Sequence, residues 1–138
     1  MKLLLYIIIF SGVATSLQNP DAWEICRGKK ILLKAKEEDP VKTIMLSSSD
    51  TSSIVIDYKE APSNIKWKRD FNFKNKADSI VLRYSFNYSG GKFRLPFTEI
   101  RQLIASQGSL TLITEQHPAN EDIMIRSKMQ VLGIFQCK

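Results

Sequence analysis

The sequence has 138 residues, and its 20 Lys and Arg against 14 Asp and Glu give a formal net charge of +6 at neutral pH. A hydrophobic share of 43% and a charged share of 25% are typical of a globular chain and exclude disordered, collagen-like and multi-span membrane classes. One His and two Cys argue against a His- or Cys-rich metal cluster, so we expect neither a metal ion nor a cofactor.

The first residues follow the order of a secretory signal peptide. Lys2 precedes a short apolar run, and small residues continue to Ser16. The apolar run is too short to span a bilayer, which requires about 20 apolar residues. The alternatives are a buried N-terminal strand or an uncleaved anchor. We predict a signal peptide at 1–16, cleavage near Ser16, and a single β-rich domain at 17–138 that is secreted or periplasmic.

Cys26 and Cys137 lie near the two ends of the predicted mature chain. An exported protein enters an oxidising compartment, where an even number of thiols usually pairs. The bridge would close a loop of about 110 residues, and the chain-entropy model assigns roughly 4.7 kcal/mol to a loop of about 100. We predict this disulfide, with two separate buried thiols as the alternative.

Short runs of alternating apolar and polar residues, separated by turn residues, dominate the rest of the chain and predict strands. One run places the side chains of Ile65, Trp67, Arg69, Phe71 and Phe73 on a single face. Ser89-Gly90-Gly91 tolerates positive φ, which predicts a β-hairpin between the flanking runs. The fold class is therefore mostly β: an antiparallel β-sandwich or a partly open barrel of roughly seven to nine strands.

One segment, at about 98–107, has helical rather than strand periodicity. Its apolar residues, spaced by three and four, are Phe97, Ile100, Leu103 and Ile104. Thr98 is the predicted N-cap, and Gly108 is the predicted C-terminal stop. After this helix the pattern predicts a strand from Ser109 to Glu115, a turn from His117 to Asp122, and a last strand from Ile123 to Gln136 in which Gly133 marks a bulge.

The segment after Pro62 is rich in basic and aromatic residues. Its predicted binding residues are Lys66, Lys68, Arg69, Lys74 and Lys76. Because Trp67, Phe71 and Phe73 share the predicted core face, we expect a basic face without an aromatic stacking platform. Such a face gives weak attraction to an anionic glycan, a membrane surface or another envelope or extracellular protein. It does not predict specific recognition of nucleic acid.

His is the residue type whose ordinary pKa suits general base catalysis near neutral pH, and His117 is the one His of the sequence. No nucleophile motif accompanies it. The favoured interpretation is a non-catalytic binding or structural module. The alternative is a small secreted hydrolase that uses His117 with a nearby carboxylate, for example Glu115 or Asp122.

Asn87-Tyr88-Ser89 satisfies the acceptor pattern for N-glycosylation. The site would be used only in a source that has the glycosylation machinery. Its position just before the predicted hairpin turn leaves room for a glycan at Asn87.

Overall fold

The structure is a computed structural model that describes residues 20–47, 52–125 and 127–137. The signal peptide predicted at 1–16 lies outside these ranges. The described elements are β1 (Ala22–Arg27), β2 (Lys30–Lys36), β3 (Thr43–Leu46), β4 (Ile54–Lys59), β5 (Trp67–Lys74), β6 (Ile80–Phe86), β7 (Gly91–Leu95), α1 (Phe97–Gln107), β8 (Ser109–Pro118) and β9 (Lys128–Cys137).

The strands form two sheets packed face to face. The four-stranded sheet has the order β2-β1-β4-β7, and the five-stranded sheet has the order β3-β9-β8-β5-β6. All neighbours pair antiparallel except β3 and β9, which run parallel. Neither sheet closes on itself, so the prediction of a mostly β sandwich with one short helix is confirmed and the barrel alternative is not adopted.

Inward-facing apolar side chains from both sheets build the core, because alternate residues of a strand point to the same face. Much of this interior is aromatic and aliphatic, and we call the part formed by the following buried residues the apolar half: Leu46, Phe71, Phe73, Phe93, Leu95, Leu110, Leu112 and Phe135. The Phe71 and Phe93 ring centroids are 4.8 Å apart and those of Phe73 and Phe135 are 5.8 Å apart, in edge contacts.

Helix α1 connects the two sheets and covers part of the core against β8 and β9. Its buried residues are Phe97, Ile100 and Ile104, as the spacing predicts. The prediction of Thr98 as N-cap is wrong, because Pro96 occupies that position and makes no capping hydrogen bond with its side chain. Gly108 ends the helix at φ 88°, which confirms the predicted stop. In the described ranges, no helix combines the length and apolarity needed to cross a membrane.

The predicted hairpin at Ser89-Gly90-Gly91 is wrong. β6 pairs with β5 in one sheet, whereas β7 pairs with β4 in the other. The glycine-rich segment is therefore a crossing between sheets, and Gly91 uses its conformational freedom at φ 108° to make it. The physical reason is a tertiary contact: the Ser89 carbonyl is buried and accepts a hydrogen bond from the Arg69 side chain at 2.6 Å.

The last two strands differ from the prediction where β8 ends and where β9 begins. His117 and Pro118 belong to β8 rather than to a turn, because β5 continues far enough to pair with them. The last strand begins at Lys128. The register of β8 and β9 shifts next to Gly133, which confirms the bulge.

Polar side chains occupy the interior at one end of the sandwich, where β1, β7 and β9 begin and β4, β6 and β8 end. We call this region the polar end, and define it by Asp21, Tyr58, Glu60, Arg69, Ser89, Thr114, Gln116 and Lys128. The turn between β5 and β6 and the C-terminus of α1 lie at the opposite end.

Candidate ligand groove at the polar end

Arg69 is the centre of the polar end. The alternation of β5 points it between the sheets, where it is 1% exposed. Its Nε donates to the Ser89 carbonyl at 2.6 Å, Nη1 to Thr114 Oγ1 at 3.1 Å, and Nη2 to Gln116 Oε1 at 3.1 Å. Its Cζ lies 3.8 Å from the centroid of the Tyr58 ring. Burial lowers the pKa of the guanidinium, and these contacts replace the water that the cation has lost.

Glu60 supplies the negative charge nearest to Arg69. Its Oε2 lies 3.6 Å from Arg69 Nη2, and its Oε1 accepts a hydrogen bond from Ser89 Oγ at 2.8 Å. Gly90 allows this position, because a Cβ there would lie 3.2 Å from Glu60 Oε1. Oε2 is buried and accepts no hydrogen bond from any residue that the structure describes. Oε2 therefore lies against Arg69 and is closed to a ligand, whereas the Glu60 side chain as a whole is 28% exposed and lines the groove.

Asp21 anchors a second cluster at the same end. It is 2% exposed and accepts hydrogen bonds from Tyr58 OH at 2.8 Å, Ala61 N at 2.8 Å and Lys128 Nζ at 3.1 Å. Lys128 also contacts Glu37. Burial alone would raise the pKa of Asp21, but these hydrogen bonds outweigh it and hold the pKa below its ordinary value. Lys128 thus ties β9 of one sheet to the start of the other.

A groove of about 460 Å³ opens beside Glu60. It is lined by Glu60, Ile65, Lys66, Trp67, Tyr88, Ser89 and Gly90. Both aromatic rings are held by their own contacts: Trp67 Nε1 donates to Ser63 Oγ at 3.0 Å, and Tyr88 OH donates to the Lys92 carbonyl at 3.0 Å. The Tyr88 ring also stacks on Phe93 with centroids 4.6 Å apart. The groove is therefore largely formed before a ligand arrives.

The basic residues predicted to bind do not form one surface. Lys66 is exposed and lines the groove, whereas Arg69 is buried, so its predicted role as a surface contact is corrected to an interior one. Lys68 is half-buried and pairs with His117 on the outer face of the five-stranded sheet. Lys74 lies six residues further along β5, roughly 20 Å away at strand spacing.

Lys74 and Lys76 belong to the opposite end of the sandwich. Lys74 Nζ contacts Asp78 Oδ1 at 3.3 Å, and Lys76 lies beside Gly108. The alternation of β5 predicts Trp67 on the core face with Phe71 and Phe73, but it is half-buried and lines the groove, whereas the two Phe are fully buried. Trp67 is the first residue of β5, and its side chain stays partly exposed because the end of a strand has fewer neighbours than its middle.

His117 lies on the outer face and is not among the groove residues. Its Nε2 lies 3.4 Å from Asp70 Oδ2. This nitrogen makes no hydrogen bond with any described residue. Asp70 is 8% exposed, and it is this carboxylate that His117 meets. In the described chain no ion pair joins His117 to Glu115 or Asp122. A catalytic role for His117 stays a hypothesis.

The two thiols are not bonded to each other. Cys26 is half-buried in β1 near Glu24 and Asp57, and burial together with these carboxylates raises its pKa. Cys137 packs instead against the core cluster. The thiols therefore face different surroundings, and the Cys26–Cys137 disulfide stays a prediction.

Asn87 is exposed in a bend directly after β6. The two residues that complete the acceptor pattern, Tyr88 and Ser89, both line the groove. A glycan attached to Asn87 would therefore stand at the groove's rim. Its attachment stays a prediction.

Sequence reasoning missed Glu60, Tyr88, Ser89 and Gly90 as site residues. They lie on two loops that are distant in sequence and meet only because β6 and β7 belong to different sheets. Glu60 follows the β4 strand directly, and two adjacent glycines follow Ser89. These are ordinary loop signals, so no local motif distinguishes them.

In the parts of the chain described here, no group of three His, Cys, Asp or Glu residues is placed to hold a metal ion. Comparison with known proteins found no matching family, no matching curated protein and no matching solved structure. The functional argument therefore depends on the groove itself.

Proposed function

We propose that this chain is an exported, non-catalytic binding module that holds a saccharide in the groove at its polar end. The observation that carries the proposal is that the Trp67 and Tyr88 rings line one groove with the partly exposed side chain of the Glu60 carboxylate. Sites of this kind bind ligands that have both an apolar surface and a few polar groups.

A sugar ring has both properties. Its C–H face is apolar and suits the face of an aromatic ring, and its hydroxyls donate hydrogen bonds. Trp67 Nε1 already donates to Ser63, so the indole offers its face rather than its donor. Glu60 accepts the ligand hydroxyl, a charge-assisted hydrogen bond of the stronger class.

Tryptophan fluorescence tests the proposal, because the chain has two Trp and only Trp67 lines the groove. Trp23 is 3% exposed in the core. Titration with a panel of neutral and acidic hexasaccharides should change the emission of the wild type and of W23F. It should leave W67F, whose only Trp is the buried one, unchanged.

Affinity measured by calorimetry supplies the second arm. W67A should weaken saccharide binding at least about fivefold, because stacking on an aromatic ring contributes about 1–3 kcal/mol in comparable base-stacking sites. Y84F is the matched control, since Tyr84 contacts Glu99 on α1 and does not line the groove. Equal affinity of W67A and wild type would remove the groove from the function.

The proposal also includes export of the chain and the Cys26–Cys137 disulfide, which a separate experiment tests. Intact mass of the natural product should correspond to a chain that begins near Leu17 and lacks two hydrogens for a Cys26–Cys137 bond. A product that retains the leader and has both thiols free would contradict the proposed location and the staple together.

A hydrolase remains the second candidate because His117 lies 3.4 Å from the buried Asp70. A carboxylate in this position could orient an imidazole that acts as a base. Hydrolysis of ester and glycoside substrates by the wild type and its loss in H117A would support this function. Equal rates for the two proteins would exclude it.

A further inference from the structure

We propose that the saccharide is acidic, with a carboxylate or sulfate bound to Lys66 while the sugar ring lies on Trp67 and a hydroxyl donates to Glu60. This inference rests on the proposed saccharide-binding function. It adds the charge of the ligand, which the aromatic rings alone do not determine.

The charge balance at the groove favours an acidic ligand. The Glu60 carboxylate lies 3.6 Å from the Arg69 guanidinium, so the negative charge in the groove wall is already balanced. Lys66 is exposed at the groove and is in no ion pair with a described residue. The unbalanced charge at the groove is therefore positive, which favours an anionic ligand.

The polar groups that the ligand must offer favour the same class. A bare anion would satisfy Lys66 but would also approach the negative charge of Glu60, which lines the same groove. A neutral sugar would satisfy Glu60 and leave Lys66 unpaired. An acidic saccharide offers a hydroxyl and an anionic group on one molecule, which satisfies both.

The groove is held open for both contacts. The Lys66 carbonyl accepts a hydrogen bond from Ala119 N at 2.9 Å, which fixes the backbone from which the lysine projects. Ser89 holds Glu60 through a hydrogen bond, and Gly90 leaves room for the carboxylate because it has no side chain. The fold thus sets the backbone position of Lys66 relative to the Glu60 carboxylate, and the lysine side chain is free to reach the anionic group.

Calorimetry with a matched pair of ligands tests the inference. The probes are hyaluronan hexasaccharide and the same hexasaccharide with its carboxylates reduced to alcohols, with heparin and oligogalacturonate hexasaccharides as further acidic probes. At least one acidic probe should bind, and its binding should weaken as the salt concentration rises. Hyaluronan hexasaccharide should bind about tenfold more tightly than its carboxyl-reduced form.

Two lysine variants complete the test. K66A should lower affinity for the acidic probe about tenfold and leave the reduced probe unchanged. K76A, whose lysine lies at the opposite end of the sandwich, is the matched control and should match the wild type. Binding to phosphatidylserine vesicles that depends on Lys66 but is unaffected by W67A would replace the saccharide by a membrane surface and overturn the inference.

The two levels of proposal fail differently. Equal affinity for acidic and reduced probes, with loss of both in W67A, overturns the acidic ligand and leaves saccharide binding intact. Absence of binding to every probe overturns the saccharide function and the acidic ligand with it.

Discussion

Strand β5 passes through two different interiors within three residues. Phe71 meets the rings of Phe86 and Phe93 in edge contacts, whereas Arg69, the previous inward residue, meets Tyr58 and Glu60. The alternation of the strand is the same in both. What differs is the neighbours, which are apolar in the middle of the sandwich and polar where the loops converge.

The apolar half and the polar end have different effects: the first stabilises the fold, and the second positions the residues of the groove. Burial of apolar surface in the apolar half stabilises the fold by about 25 cal/mol per Å². A buried cation instead loses its hydration, at an effective cost of several kcal/mol that its partners offset only if each contact is well made. The polar end therefore contributes little net stability for its size, but it fixes the positions of Glu60 and Ser89 at the groove.

Removal of Arg69 should break the polar end most severely. R69M keeps the size of the side chain but leaves Glu60 without its counter-charge and Thr114 and Gln116 without a donor, so we expect a loss of about 3–5 kcal/mol in the free energy of unfolding. Urea denaturation measures it. R83M is the control, because Arg83 bonds to Asn72 at 2.8 Å on the outer face, and it should cost less than about 1 kcal/mol. Similar losses in the two variants would contradict the central role of Arg69.

A side chain added at Gly133, away from the groove, should have a smaller effect on stability and no effect on saccharide binding. At Gly133 a Cβ would lie 3.3 Å from Ile44 Cδ1 and 3.4 Å from both Leu33 Cδ2 and the Lys42 carbonyl. G133V should therefore cost about 1–3 kcal/mol by thermal or urea unfolding. The folded variant should bind saccharide like the wild type, and weakened binding would show that the two regions are not separable.

Replacement of Asp21 tests the pH dependence of the polar end. Because the folded-state pKa of Asp21 lies below its ordinary value, the carboxylate stabilises the fold above about pH 4, and this contribution is lost as the pH falls below that value. D21N should cost about 1–2 kcal/mol at pH 7, since Tyr58, Ala61 and Lys128 lose a charged acceptor. Its stability should then decline less than that of the wild type below pH 4. Parallel acid denaturation curves would contradict this assignment.

The smallest effect on stability is expected at the groove's rim. Lys66 is exposed, so K66A should change the free energy of unfolding by no more than about 0.5 kcal/mol. K76A should behave alike. A stability loss above about 1 kcal/mol in K66A would mean that Lys66 supports the fold and that its effect on binding is indirect.

The sequence was sufficient to predict features that depend on neighbouring residues in one element. The alternation of β5, the helical spacing of α1 and the stop at Gly108 all persist because a single face or a single φ angle decides them. Burial of Phe71 and Phe73 follows from the same period.

Features that depend on which strands become neighbours could not be predicted in this way. Ser89-Gly90-Gly91 has the residues of a hairpin turn, but the pairing of β6 with β5 and of β7 with β4 makes it a crossing between sheets. Arg is ordinarily a surface residue type, and the partners brought by β4, β8 and the crossing give Arg69 three hydrogen bonds, an ion pair and a ring contact in the interior. The groove arises from the same convergence of loops.

The central claim is that the polar end holds the ligand site and that the apolar half does not. A map of backbone amide chemical shifts during titration with the tightest-binding acidic hexasaccharide tests it most directly. We expect saturable shifts at the groove residues Glu60, Lys66, Trp67, Tyr88 and Gly90, and none at Lys74 or Lys76. Shifts concentrated around Lys74, Lys76 or His117, with the groove residues unchanged, would contradict it.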